Sequence, residues 1–161
     1  MKMPSILPST RLAIQAAASG LVALIFVDMV DLERPYWVVL TAIVVMVGSV
    51  GETLTKSIDR TAGTLVGLAV GIIVYWATVQ IGFPAIILLV VAVPSVIFFK
   101  FASYRMMIVA LTILLVFLFR LGDATDALLI ARLVDTAIGA AIATVVSVAV
   151  LPIPTRKPVV E

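Results

Sequence analysis

Six apolar segments follow one another along this chain: Leu12–Val30, Tyr36–Val50, Thr61–Ile81, Phe83–Phe99, Met106–Phe119 and Ala127–Leu151. Crossing the hydrocarbon core of a bilayer takes about 17–25 residues at a rise of 1.5 Å each. The first, third, fourth and sixth segments reach that length, while the second and fifth fall short and must borrow polar flanks at the interface. In lipid every backbone polar group has to be satisfied internally, so the segments are expected to be helices. The alternation of a membrane barrel strand is absent. Hydrophobic residues make up 63% of the chain and charged residues 12%, against roughly 45–50% and about 25% in soluble domains. The surplus apolar surface must face lipid. The reading is an all-α, polytopic membrane protein with about six transmembrane helices.

The boundaries follow. Residues 1–11 form an N-terminal segment, 12–152 a six-helix transmembrane domain and 153–161 a tail. Lys2 to Arg11 ahead of an apolar run resembles a leader, but Ala16-Ala17-Ala18 precedes the run, so an uncleaved first span is expected. With the N-terminus inside, Lys2, Arg11, Lys56, Arg60, Lys100, Arg105, Arg156 and Lys157 lie on the cytoplasmic side, against Arg34, Arg120 and Arg132 opposite. This bias puts both termini in the cytoplasm. Tyr36-Trp37 and Tyr75-Trp76 then fall at outer span ends, where amphipathic rings prefer to lie. A plasma membrane (bacterial inner membrane) location is expected.

Two halves of the sequence match at a common offset. Val39-Leu40-Thr41-Ala42-Ile43-Val44-Val45 pairs with Ala110-Leu111-Thr112-Ile113-Leu114-Leu115-Val116, and the Arg60-to-Gly67 spacing returns as Arg132 to Gly139. Three spans per unit is an odd number, so the second unit runs the opposite way: an inverted 3+3 repeat. In transporters built so, short or glycine-interrupted helices at matching places point to the binding site. Here they are the second and fifth segments, carrying Thr41 and Thr112, and Gly48-Ser49-Val50-Gly51 interrupts the end of the second.

Helical spacing puts Arg60, Gly63, Thr64, Gly67 and Gly71 on one face of the third segment, and Arg132, Asp135, Thr136 and Gly139 on one face of the sixth. Gly63, Gly67, Gly71 and Gly139 let another backbone approach closely. Each stripe joins a cation, hydroxyls and bare backbone, a lining suited to a carboxylate, which the planar fork of Arg pairs with twice. Arg60, Thr64, Thr41, Arg132, Asp135, Thr136 and Thr112 are therefore the candidate substrate residues. The plainer alternatives stay open: Arg60 as a topology anchor, and Arg132 with Asp135 as a structural ion pair. Pro94 is expected to kink the fourth segment. With no Cys and no His, thiol and imidazole metal sites and His-based catalysis are excluded. No paired carboxylates share a helix face, so no enzyme is expected; metal coordination by carboxylates alone stays open but has no supporting cluster, and no metal or cofactor site is assigned. Eleven basic against nine acidic residues gives no sign of nucleic-acid binding.

The stretches Tyr36-Trp37-Val38-Val39-Leu40-Thr41, Gly51-Glu52-Thr53-Leu54 and Asp59-Arg60-Thr61-Ala62-Gly63-Thr64-Leu65-Val66-Gly67 resemble the fusaric acid resistance family, also called the aromatic acid exporters. Ala110-Leu111-Thr112 and Arg132–Gly139 look like the end of that membrane domain. The resemblance covers about residues 12–152. It implies a six-helix unit that works as a homodimer in the lipid bilayer and exports aromatic or other organic carboxylate anions, coupled to the proton gradient. The plant aluminium-activated malate transporters, which look related, imply the alternative of a passive anion channel. A non-transporting membrane assembly subunit is the reading from another class. The chain departs from the family in carrying Val47-Gly48-Ser49 where members have Gln-Pro-Ser. Single cysteines at Ser5 and Ser57 inside, and at Asp31 and Asp123 outside, would report the topology.

Overall fold

The structure, a computed structural model, describes residues 8–30, 32, 34–82, 84–122 and 126–150. The tail 153–161, most of the N-terminal segment, and Asp31 and Asp123 lie outside them. Six α-helices follow in order: α1 Pro8–Met29, α2 Tyr36–Val45, α3 Val50–Ile81, α4 Ala85–Ala102, α5 Tyr104–Leu121 and α6 Asp126–Ala149. Of these, α1, α3, α5 and α6 are long and apolar enough to cross a membrane, and α2 and α4 are shorter. Large apolar side chains stand outward along them, among them Leu21, Ile73, Val90, Ile97 and Phe101. A soluble protein would hide such surface; lipid makes hiding it unnecessary. The chain is a multi-pass membrane protein.

Three boundaries differ from the sequence expectation, each for a local reason. The second apolar segment was to run to Val50, but α2 stops after ten residues at Val45. Met46 is extended, with ψ 122°, and Gly48 takes a positive φ of 102°, a region that side chains with a Cβ avoid. The third segment was to begin at Thr61, but α3 starts at Val50. Ser49 opens it, accepting a hydrogen bond at its Oγ from the Glu52 amide at 3.3 Å and at its carbonyl from the Thr53 amide at 3.0 Å. Hydropathy hides this first third because it carries Glu52, Lys56 and Asp59. The fifth segment is not short. Ser103 caps α5, accepting from the Met106 amide at 3.2 Å, and the helix runs 18 residues. Of the two segments expected to be short, only the second is, as α2. At 1.5 Å per residue its ten residues rise about 15 Å, half the ~30 Å core.

Helix α4 runs through Pro94, which offers no N–H and leaves the Val90 carbonyl without its intrahelical donor.

The chain forms two compact units, one of residues 1–58 with 135–161, the other of residues 59–134. In the first, α1 lies antiparallel to α2: the Ser19 hydroxyl donates to the Ala42 carbonyl at 3.0 Å, and Ala23 packs against Val38 and Ala42. The α6 residues run the same way as α2, with Ile138 and Ile142 beside Val38 and Ala42, and Ala143 and Val146 beside Val45 and Met46. Gln15 ties α1 to the end of α6, its Nε2 donating to the Val150 carbonyl at 2.9 Å.

In the second unit, α4 and α5 form a hairpin through Ser103. Leu68, Val116 and Leu129 make the core. The Arg120 guanidinium sits over the Tyr75 ring at 5.4 Å, and Tyr75 meets Phe117 edge to face, a cation–π and aromatic cluster at the far end of α5.

Candidate functional site

With the apolar side chains turned outward, polar ones collect inside: among the described residues, buried polar or charged side chains are as numerous as buried apolar ones. All seven candidate substrate residues are buried, from fully enclosed Thr41 and Thr136 to Arg132 at 5% exposure. Arg60, Thr64, Thr112 and Arg132 belong to the second unit, and Thr41, Asp135 and Thr136 to the first.

In the second unit the glycine stripe of α3 sets the packing. A Cβ placed on Gly63 would touch the Ile108 side chain at 3.0 Å, one on Gly67 the Thr112 Cβ at 2.6 Å, and one on Gly71 the Val116 side chain at 3.0 Å. The three contacts advance together, so α3 and α5 run parallel. Only a hydrogen at each glycine lets them come so close. Arg60 lies at the lower end of this seam. Since α3 starts at Val50, Arg60 is ten residues in rather than at the helix end, and it is 4% exposed. Its Nη1 donates to the Tyr104 hydroxyl at 3.4 Å, while its Nε makes no hydrogen bond. Beside it, Arg105 on α5 pairs with Asp59 on α3, Nε to carboxylate at 2.9 Å.

The first unit repeats the joint. A Cβ on Gly139 would lie 2.5 Å from the Val38 carbonyl oxygen and 2.8 Å from the Thr41 Cβ. In the second unit a Cβ on Gly67 would lie 2.8 Å from the Val109 carbonyl oxygen and 2.6 Å from the Thr112 Cβ. Each partner is matched by the sequence offset: Gly67 with Gly139, Thr112 with Thr41, Val109 with Val38. The hydroxyls differ. Thr112 donates to the Ile108 carbonyl at 2.8 Å, whereas the buried Thr41 hydroxyl has no hydrogen-bond partner. On α6, Arg132, Asp135 and Thr136 lie within about one turn, both ionisable side chains buried. Of the described carboxylates, Asp135 is the buried one.

Sequence reasoning missed four contributors. Tyr104 meets Arg60. The Lys56 ammonium donates to the Val44 carbonyl at 2.8 Å, covering one of the open carbonyls where α2 stops. Ser57 donates to the Ala140 carbonyl at 3.3 Å and shares a hydrogen bond with Thr144 at 3.1 Å. Ser19 covers the Ala42 carbonyl. Of these only the α2 break left a local signal, Ser49-x-x-Glu52, the pattern of a capping box; the other contacts join residues far apart in sequence.

Comparison with known proteins adds the following. A family model described as fusaric acid resistance protein-like matches residues 21–146. The inner membrane protein YccS of Escherichia coli is 29% identical over 119 residues, 73% of this chain and 16% of the relative. The uncharacterized protein YhfK of the same organism is 24% identical over 144 residues, covering 89% of this chain and 20% of the relative. The uncharacterized transporter YdhK of Salmonella typhimurium is 34% identical over 64 residues, 40% of this chain and 9% of that protein. The chain thus spans a fifth or less of the length of these relatives. No solved structure matches.

Proposed function

The chain belongs to the fusaric acid resistance protein-like family, and from that premise we propose that it is a transport domain that moves organic carboxylate anions outward across a bacterial inner membrane. One observation carries the reading: Arg60 is 4% exposed inside an apolar helix, yet its Nε has no hydrogen-bond partner. Burying a charge away from water is costly unless it is paired and hydrogen-bonded. A guanidinium with donor capacity to spare suits an anionic guest. The same unit buries a second cation, Arg132, and the other unit buries a hydroxyl without a hydrogen-bond partner, Thr41. A relative whose name is that of an uncharacterized transporter, and another named as an inner membrane protein, agree with this reading. Proton coupling goes with it, Asp135 being the buried carboxylate that would carry the proton.

The test is a panel of aromatic and aliphatic carboxylates assayed in proteoliposomes. Uphill flux that collapses on adding a protonophore is the expected result. Downhill currents alone, unaffected by the protonophore, favour the passive channel. Absence of flux for every anion favours an assembly subunit.

The architecture proposed with it is six spans as an inverted 3+3 repeat, residues 12–152, with both termini cytoplasmic. Support comes from the matched Gly67–Thr112 and Gly139–Thr41 joints. Since α3 and α5 run parallel, α4 must return between their ends, which its 18 residues, about 27 Å, nearly suffice to do. The topology is read by cysteine labelling. Ser57 is buried and hydrogen-bonded, so a cysteine there would report burial rather than side; exposed Thr55 replaces it. With an impermeant thiol reagent outside intact cells, cysteines at Asp31 and Asp123 should label and those at Ser5 and Thr55 should not. Labelling at Ser5 or Thr55 would reverse the orientation.

A homodimer completes the proposal. The mass of the protein in nanodiscs, measured by light scattering, should equal two chains; one chain per particle in several detergents and in nanodiscs would exclude it.

A further inference from the structure

The α4–α5 hairpin holds a groove unconnected with the buried arginines. It encloses about 300 Å³, the lower end of the range for ligand pockets. Leu88, Val91 and Phe99 of α4 face Met106, Ile113 and Phe117 of α5 across it. Ser95 is the polar residue of its wall, and the Ser95 hydroxyl is already spent on the Val91 carbonyl at 2.8 Å. The groove has nothing to offer a polar guest.

We propose that this groove binds one acyl chain of an anionic phospholipid, with the headgroup held at the hairpin end. Three observations fix the occupant. The first is length: from Phe99 to Leu88, as from Met106 to Phe117, the walls run twelve residues, or eleven helical steps. That is about 16 Å, close to one leaflet of a ~30 Å core. The second is charge. The residue after Phe99 is Lys100, exposed in the last turn of α4, and the residue before Met106 is Arg105, whose side chain is 62% exposed. Two cations thus stand at one end of the groove and none along it. Because Arg105 is shared with Asp59, Lys100 is the principal contact for the headgroup. The third is access: Phe98 and Phe101 flank that end at 70% and 85% exposure, apolar rings open to the acyl chains of the bilayer. Basic residues at the mouth of an apolar groove between helices give a site for an acidic lipid.

Native mass spectrometry of the full chain tests this, after purification with equal amounts of phosphatidylglycerol and phosphatidylcholine of the same acyl length. Phosphatidylglycerol should be retained at least fivefold over phosphatidylcholine. Lys100→Gln, a surface change that leaves the packing alone, should abolish the preference while keeping residual retention of both lipids. Ala92→Phe, which fills the groove, should cut total retention at least fivefold. Equal retention of the two lipids by the unmodified chain overturns the proposal, as does a preference that survives Lys100→Gln. Since these two arms need no change inside the groove, failure of Ala92→Phe to fold does not blunt the test.

Discussion

Replacing Arg60 by Gln should lower carboxylate flux in proteoliposomes more than tenfold while expression and oligomeric mass stay unchanged. At about 10 Å in a partly watery cavity of effective dielectric near 20, one unit charge is worth roughly 1.7 kcal/mol to an anion, slightly more than the 1.4 kcal/mol of a factor of ten. The fold should survive, because the Arg60 side chain makes one long hydrogen bond, to Tyr104 at 3.4 Å. Tyr104→Phe, which removes that tether and keeps the charge, should have a much smaller effect. Arg132→Gln should match Arg60→Gln in flux unless Asp135 is its fixed partner. In that case Arg132→Gln alone destabilises the protein, and adding Asp135→Asn restores it. Normal flux in well-folded glutamine variants at both positions would reduce the two arginines to topology anchors.

The second large effect is one of stability and falls on a residue with no side chain. In Gly139→Ala the new methyl would sit 2.5 Å from the Val38 carbonyl oxygen, 2.8 Å from the Thr41 Cβ and 3.2 Å from the Ala42 nitrogen. Two of the three are backbone atoms of α2, so relief requires the helix itself to move. Overpacking of this kind costs about 1–3 kcal/mol, or about 2–12 °C in the midpoint of thermal unfolding for a chain of this size. Gly67→Ala should behave alike, pressed by the Thr112 Cβ at 2.6 Å and the Val109 carbonyl oxygen at 2.8 Å. Gly122→Ala is the control: its methyl would find nothing nearer than 3.6 Å. Equal unfolding temperatures for Gly139→Ala and Gly122→Ala would show that α2 and α6 do not approach as described.

Much of this was legible before any coordinates. Hydropathy located six helices because lipid leaves a chain little choice but to be apolar and helical, and the Arg60–Gly67 and Arg132–Gly139 spacings lie on the two helices that carry the buried cations. Hydropathy failed where polarity and helix coincide. Gly51–Arg60 is polar enough to look like a loop, yet it is the first third of α3, begun by Ser49. It also overran α2, because Met46 and Val47 are apolar without being helical. The partners of the site were out of reach for another reason: Tyr104 is 44 positions from Arg60 and Gln15 is 135 from Val150, and no local pattern encodes such separations.

The seam between α3 and α5 has a further property. Glycines recur every fourth position at 63, 67 and 71, and the residues that rest on them, Ile108, Thr112 and Val116, recur every fourth position too and are all β-branched. Slid by one notch, about 6 Å, the helices would find two of three seats filled as well as before, Ile108 on Gly67 and Thr112 on Gly71. Shape alone therefore fixes this register weakly. What singles out the observed one is polar and lies at one end, where Arg60 reaches Tyr104 and Arg105 reaches Asp59. Those four side chains act as a latch on a rack whose teeth are evenly cut.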